Sequence, residues 1–300
     1  MLKQPRHSQQ ADLFIAYLVD LPLRDQKDTM ERPFFALDKN GRQQEIDYTS
    51  PDGKTWVNVS ANPKYGMATI YDADILIWCA SQYMELVNRG EKHIPQTIQF
   101  HPYDLLKSIG KNPKGKTQYE RLRAALDRLK FTGVKTSIRA AGMKKNASFG
   151  WLDNWTELID EKTGKSKGMT ITPPKWFYEG VLMKGGVLSI HQDYFQLTGG
   201  FERWLYKVAR KHAGMQDNGF FIALPTLYEK SGIVSPYKVF KNRIKKIAER
   251  DELPDYHLEW ITDTESGQPT LFMVRRSKLH YSDPAFKWDQ PRKRNAPKLA

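Results

Sequence analysis

An order of elements that occurs twice, about 120 residues apart, constrains the fold of this chain more than any other feature. The first copy opens with a helix pattern at 72–89, DADILIWCASQYMELVNR, stopped by Gly90. An extended run, TIQFH, follows at 97–101, and Pro102 then starts a short helix, PYDLLKSIG. A longer helix is predicted over 116–130, KTQYERLRAALDRLK, followed by the β-like segments GVKTSIRAAG, SFGWLDNWTELID and MTITPP. In the second copy a helix over 201–212, FERWLYKVARKH, precedes the extended run GFFIAL at 219–224. Pro225 starts the next short helix, a longer helix spans 236–250, and YHLEWITDT and TLFMVRRS form a hairpin around ESGQP.

The copies agree in detail. Each short helix begins with proline, which tolerates the first helical turn because its missing N–H would be unpaired there. Lys107-Ser108 and Lys230-Ser231 follow that proline at the same distance. Tyr119, Leu122, Leu126 and Leu129 on one long helix match Tyr237, Phe240, Ile244 and Ile247 on the other, a single apolar stripe at helical spacing. Helix, strand, helix, turn, helix and hairpin is the order of a winged helix, whose last helix enters the DNA major groove and whose hairpin is the wing. The expected fold class is therefore α+β: two tandem winged-helix domains, at 65–173 and 174–282. An N-terminal extension, 1–64, with β-like segments such as RPFFAL and KTWVNVSA, and a basic flexible tail, 283–300, complete the expected organisation.

Charge supports the same faces. The chain carries 47 Lys+Arg against 34 Asp+Glu, net +13, and excess positive charge favours polyanions. Residues 1–106 are net −3, whereas 107–145 are net +10 and 201–250 net +7. Any one basic window can be a solvated helix face, but these two fall in the two copies of one motif. Opposite the first apolar stripe lie Thr117, Arg121, Ala124 and Arg128, with Arg suited to guanine O6/N7 or to phosphate. Lys111, Lys114 and Lys116 are expected to meet the DNA backbone, and Lys135, Arg139, Lys144 and Lys145 to lie on or beside the first wing. In the second copy the face carries Ser235, Lys238, Asn242 and Lys245, flanked by Lys241, Arg243 and Lys246. Asn is the side chain for adenine N6/N7. Arg275 and Arg276 close the second wing.

A search for chemistry finds none. The histidines at 7, 93, 101, 191, 212, 257 and 280 supply no close pair for a metal, and His191-Gln-Asp193 stands alone. GKNPKGKT at 110–117 lacks the spacing of a phosphate loop, and no GxSxG occurs. Cys79, the one cysteine, lies in the apolar stretch ILIWCA and permits no intramolecular disulfide. The expectation is a soluble cytoplasmic protein with no cofactor, no metal and no membrane association. The start of the chain lacks a signal-peptide pattern, and no apolar run approaches the roughly 18 residues of a membrane span.

The chain resembles the plasmid replication initiator protein A family. The resemblance rests on MERPFFALDK at 30–39, YGMATIYDADILIW at 65–78, YDLLKSIG at 103–110 and YERLRAALDRL at 119–129. LTGGFERWLYKVARKHAG at 197–214 and FFIALPTLYEKSG at 220–232 extend it over roughly 25–280. It implies a protein that binds repeated double-stranded DNA at a plasmid origin and helps to open it. It also implies recruitment of the host initiator and replicative helicase, and a homodimer that represses its own promoter. Two other readings stay open at this point: a winged-helix repressor without initiator activity, and a winged-helix protein-interaction scaffold.

Overall fold

The structure, a computed structural model, describes residues 13–17, 21–39, 42–138, 147–262 and 267–288. The N-terminal region contributes β1 (Leu13–Ile15), β2 (Arg24–Gln26), β3 (Ile46–Thr49) and β4 (Trp56–Ser60). The first repeat contains α1 (Ala73–Asn88), β5 (Thr97–Phe100), α2 (Pro102–Ser108) and α3 (Lys116–Phe131). It continues through β6 (Gly133–Thr136), β7 (Ala147–Phe149), β8 (Asn154–Ile159) and β9 (Ser166–Thr172). A connection holds α4 (Lys175–Leu182) and β10 (Val187–Ser189). The second repeat is α5 (Gly200–His212), β11 (Phe220–Ala223), α6 (Leu224–Ser231), α7 (Tyr237–Arg250), β12 (Tyr256–Thr262) and β13 (Pro269–Arg275). None of the described helices is long and apolar enough to cross a membrane.

Pairing makes the repeat visible in three dimensions. In the second repeat the sheet order is β11-β13-β12, all antiparallel. In the first it is β5-β9-β8, also antiparallel, with β1 added in parallel at the β5 edge. The hairpin that follows α3 is therefore β8–β9, not the segment GVKTSIRAAG beside it. Its first four residues are β6, which pairs with β4 and β7 in a separate sheet, β3-β4-β6-β7. Val134 faces Val59 across this pairing, and both are buried. The partner strand lies more than 70 residues upstream in sequence, so local periodicity could not reveal it. The other misread segment, RPFFAL, is not a strand. Phe34 and Phe35 are buried against the Trp151 ring, at 5.6 and 4.7 Å between centroids, and hold this stretch in irregular backbone.

Helix α1 is the centre of the molecule. Twelve of its residues are buried, including Cys79, whose thiol is pushed well up by burial. A helix covered all round belongs inside a core. The long helices are amphipathic instead: α3 buries Leu122, Leu126 and Leu129, and α7 buries Phe240, Ile244 and Ile247. Each such side chain contributes roughly 1.5–3 kcal/mol when removed from water, so the stripe decides which face of each helix is left outward.

The two repeats share one apolar core and are also joined by buried charged groups. Arg203 on α5 donates to Asp74 at the start of α1 at 2.5 Å, with both side chains almost fully buried. Its remaining donors reach the carbonyls of Leu197 and Phe195. Lys207, one turn along, sits 2.9 Å from the buried Asp25. Lys211 and His212 at the end of α5 both lie 2.7 Å from Glu31, and Lys230 at the end of α6 lies 2.9 Å from it. Gly232 follows α6 with φ of 61°, a left-handed conformation that favours glycine. A Cβ there would stand 2.4 Å from the Pro33 ring, and the Gly232 carbonyl accepts from Arg42. The N-terminal strap, 24–39 with Arg42, thus contacts the second repeat as well as the first.

Breaking this latch on one side leaves a buried charge alone, which costs about 3–5 kcal/mol. Arg203→Met is expected to lower unfolding stability by that amount in urea, and Asp74→Leu added to it to restore part. A single variant within 1 kcal/mol of the parent would contradict the interface. For Glu31, burial pushes the carboxyl up, but hydrogen bonds from His212, Lys211 and Lys230 outweigh it and hold it well below its usual 4.5. The depressed value means its contribution is present above about pH 4.5 and lost as pH falls. The stability gap between parent and Glu31→Gln should shrink by about 1.4 kcal/mol per pH unit below that point. A gap constant from pH 7 to pH 3 would contradict it.

Candidate nucleic-acid interface

Helix α3 starts after Gly115, whose φ of 95° needs glycine and redirects the chain out of the turn. Its outward face exposes Thr117, Glu120, Arg121 and Ala124. Lys114 and Lys116 are exposed at its start, Lys116 at 3.6 Å from Glu120. Arg128 does not join them. Its Nε and Nη2 donate to the two Asp72 carboxylate oxygens, at 2.8 and 2.7 Å, and that carboxylate also accepts from the Thr69 amide and hydroxyl before α1. Arg128 therefore locks α3 onto the start of α1.

Lys111 is also displaced from its expected place. It is half-buried beside Asp74 and Arg203, and burial holds its ammonium below the usual lysine range. The adjoining turn packs on the connection, where a Cβ at Gly110 would lie 3.5 Å from Phe195. Lys135 is exposed, but on β6, opposite Asn58 of β4, and so belongs to the second sheet rather than the hairpin. Arg139, Lys144 and Lys145 lie outside the described residues.

The β8–β9 hairpin is fixed to α3 by three contacts. Arg123 forms a two-pronged pair with Glu157 at 2.7 and 3.0 Å. Trp155 donates to Asp127 at 3.2 Å, and Lys130 to the Asp153 carbonyl at 2.6 Å. At the tip Asp160 accepts from the amides of Lys162 and Thr163, which closes the turn. Lys162 and Lys165 are exposed there, while Lys167 pairs with Asp160 at 2.7 Å. Sequence reading missed these lysines because 146–200 is net −1 as a whole. The Asp-x-x-x-Gly turn, Asp160 to Gly164, is the local signal that could have found them.

On α7 the exposed residues are Lys238, Val239, Asn242, Arg243, Lys245, Lys246, Glu249 and Arg250, with Ser235 exposed in the turn before it and Lys241 half-buried. Arg243 stacks on the Phe201 ring at 4.1 Å, and Arg250 pairs with Glu202 at 2.7 Å. Lys245 stands 3.9 Å from Glu249. Arg276 is buried and bonded to the Asp251 side chain at 2.8 Å and to the Asp251 and Leu253 carbonyls. It closes the end of the β12–β13 hairpin and is not a surface group. Arg275 is half-buried on β13.

A model of the replication initiator protein A family matches residues 24–258. A "putative replication protein" of Wigglesworthia glossinidia brevipalpis is 36% identical over 253 residues, 83% of this chain and 89% of the relative. The chain belongs to the replication initiator protein A family. Among solved structures, domains 2 and 3 of RctB share its fold with a TM-score of 0.57 at 16% identity, covering 80% of this chain and 94% of that one. A second structure of the same two domains aligns with a TM-score of 0.47 at 15% identity, covering 80% and 95%. The family match spans the strap, α1, both repeated helix pairs and the start of β12, so the elements carrying the exposed lysines lie within it.

The geometry separates two arginines that looked alike in sequence. Arg128→Ala should cost roughly 1.5–3 kcal/mol of stability, the range for hydrogen bonds to a charged partner. Arg121→Ala should leave unfolding within about 0.5 kcal/mol of the parent. Urea titration of both variants checks this, and equal losses would place Arg121 in a packed role.

Proposed function

We propose that the chain is a plasmid replication initiator built of two winged helices that bind repeated double-stranded DNA at its origin. The observation that carries this is the twice-repeated topology with exposed basic residues on the third helix of each unit, in a member of a replication initiator family. In this reading α3 and α7 enter successive major grooves. Arg121, Thr117, Lys238 and Asn242 face base edges, and Lys114, Lys116, Lys241, Lys245 and Lys246 meet phosphates. Phosphate contacts supply affinity and register, and base contacts supply sequence choice. The β8–β9 hairpin adds Lys162 and Lys165 against the backbone. Lys135 contributes only if the DNA passes the second sheet, and Arg275 only at the edge of the second hairpin.

Two grooves read from one face imply a site of roughly 20 bp, because successive turns lie about 10 bp apart. Clustered binding beside an AT-rich tract would supply deformation that favours opening. The reading is completed by recruitment of the host initiator and helicase, and by repression of its own promoter as a homodimer. The role is binding and remodelling rather than catalysis.

Footprinting on the DNA flanking its own gene, with competitor at two salt concentrations, tests the proposal. Several protected repeats of roughly 20 bp, with affinity falling steeply as salt rises, are expected. A single protected operator would favour a repressor without initiator activity. Salt-sensitive binding with no footprint would contradict sequence recognition and favour an interaction scaffold.

A further inference from the structure

The two long helices present different chemistry at matching positions. Aligning Tyr119 with Tyr237 on the buried stripes places Arg121 opposite Val239, Ala124 opposite Asn242, and Arg128 opposite Lys246. Val239, Asn242 and Lys246 lie along one exposed row of α7, at spacings of three and four residues, outside the buried stripe of Phe240, Ile244 and Ile247. Val239 is 52% exposed in a helix otherwise ringed by lysines. The Asn242 amide has no hydrogen-bond partner among the described residues and is exposed at the centre of that row. Neither residue favours a helix interior, and neither supports the fold here.

We infer that α7 reads A·T base pairs, Asn242 through adenine N6/N7 and Val239 through the adjacent thymine methyl, while α3 reads the other half-site through Arg121. This rests on the DNA-binding reading above. The chemistry is specific. An amide can both accept from N6 and donate to N7 of one adenine, and an aliphatic branch gains contact only with the one base that carries a methyl in the major groove. Ala124 lets α3 approach closely without a polar atom, so that Arg121 is left to meet guanine O6/N7. The two halves therefore differ, and the target is asymmetric rather than palindromic.

Selection of bound sequences from a randomised duplex pool with the full-length chain tests this, followed by binding to the enriched duplex with uracil for thymine in each half in turn. The enriched sequence should hold a fixed adenine beside a thymine in one half. Uracil in that half should weaken binding about fourfold, the worth of one buried methyl group. Asn242→Ala should weaken it roughly five- to hundredfold and randomise that position. Val239→Ser should lose the discrimination against uracil, with circular dichroism unchanged in both variants. A palindromic consensus, a half-site without A·T, or variants that leave sequence choice and uracil sensitivity unaltered would overturn the inference while leaving DNA binding intact. Enrichment of no sequence would overturn the DNA-binding reading as well.

Discussion

Buried ion pairs at Asp74 and Glu31, beside the Lys207–Asp25 pair and a shared apolar core, join the second repeat to the rest of the molecule. Asp74 binds Arg203 inside the junction, and Glu31 gathers Lys211, His212 and Lys230 from the ends of α5 and α6. Burial pushes the Asp74 carboxyl up even though Arg203 draws it down. The pair is thus costly to desolvate, and its effect is geometric rather than a gain in net stability. Separating either set of paired charges would leave a buried charge alone, so these pairs, with the apolar core that the repeats share, favour the observed arrangement of α5 against α1.

The same logic explains which basic residues remain outside. Arg128, Arg203, Lys207, Lys211, Lys230 and Arg276 each have a carboxylate partner in the structure. Arg121, Lys114, Lys238 and Lys246 stay exposed. The net charge of the chain says that cations are in surplus, and the junction and hairpin contacts decide where the surplus lies. The hairpin contacts act alike: Arg123, bound to Glu157, sets the angle of the β8–β9 hairpin to α3 and so aims the lysines at its tip.

Much of this was legible in the sequence. The stripes at Tyr119–Leu129 and Tyr237–Ile247, the prolines at 102 and 225, and the extended runs before them follow local rules, and every one of those helices and strands is present. What was hidden depends on distant partners. The β6 segment reads as part of a wing until β4 supplies its neighbour, and Phe34 and Phe35 read as a strand until Trp151 covers them. Helix α4 escaped notice because Pro173 and Pro174 ahead of it and Gly180 within it look like a linker. Arginine at 121 and 128 is indistinguishable in sequence, since only the fold brings Asp72 beside one of them.

In the proposed DNA-binding reading, a fixed junction makes a demand on the DNA that a flexible tether would not. The most direct measurement is affinity for an origin repeat whose two halves are moved apart by insertion of about five or about ten base pairs, half a helical turn and a full one. The account predicts loss of specific affinity with both insertions, because the distance between the helices is fixed as well as their rotation. Binding restored by the full-turn insertion, or unchanged by either, would contradict a locked pair and require the two repeats to move independently.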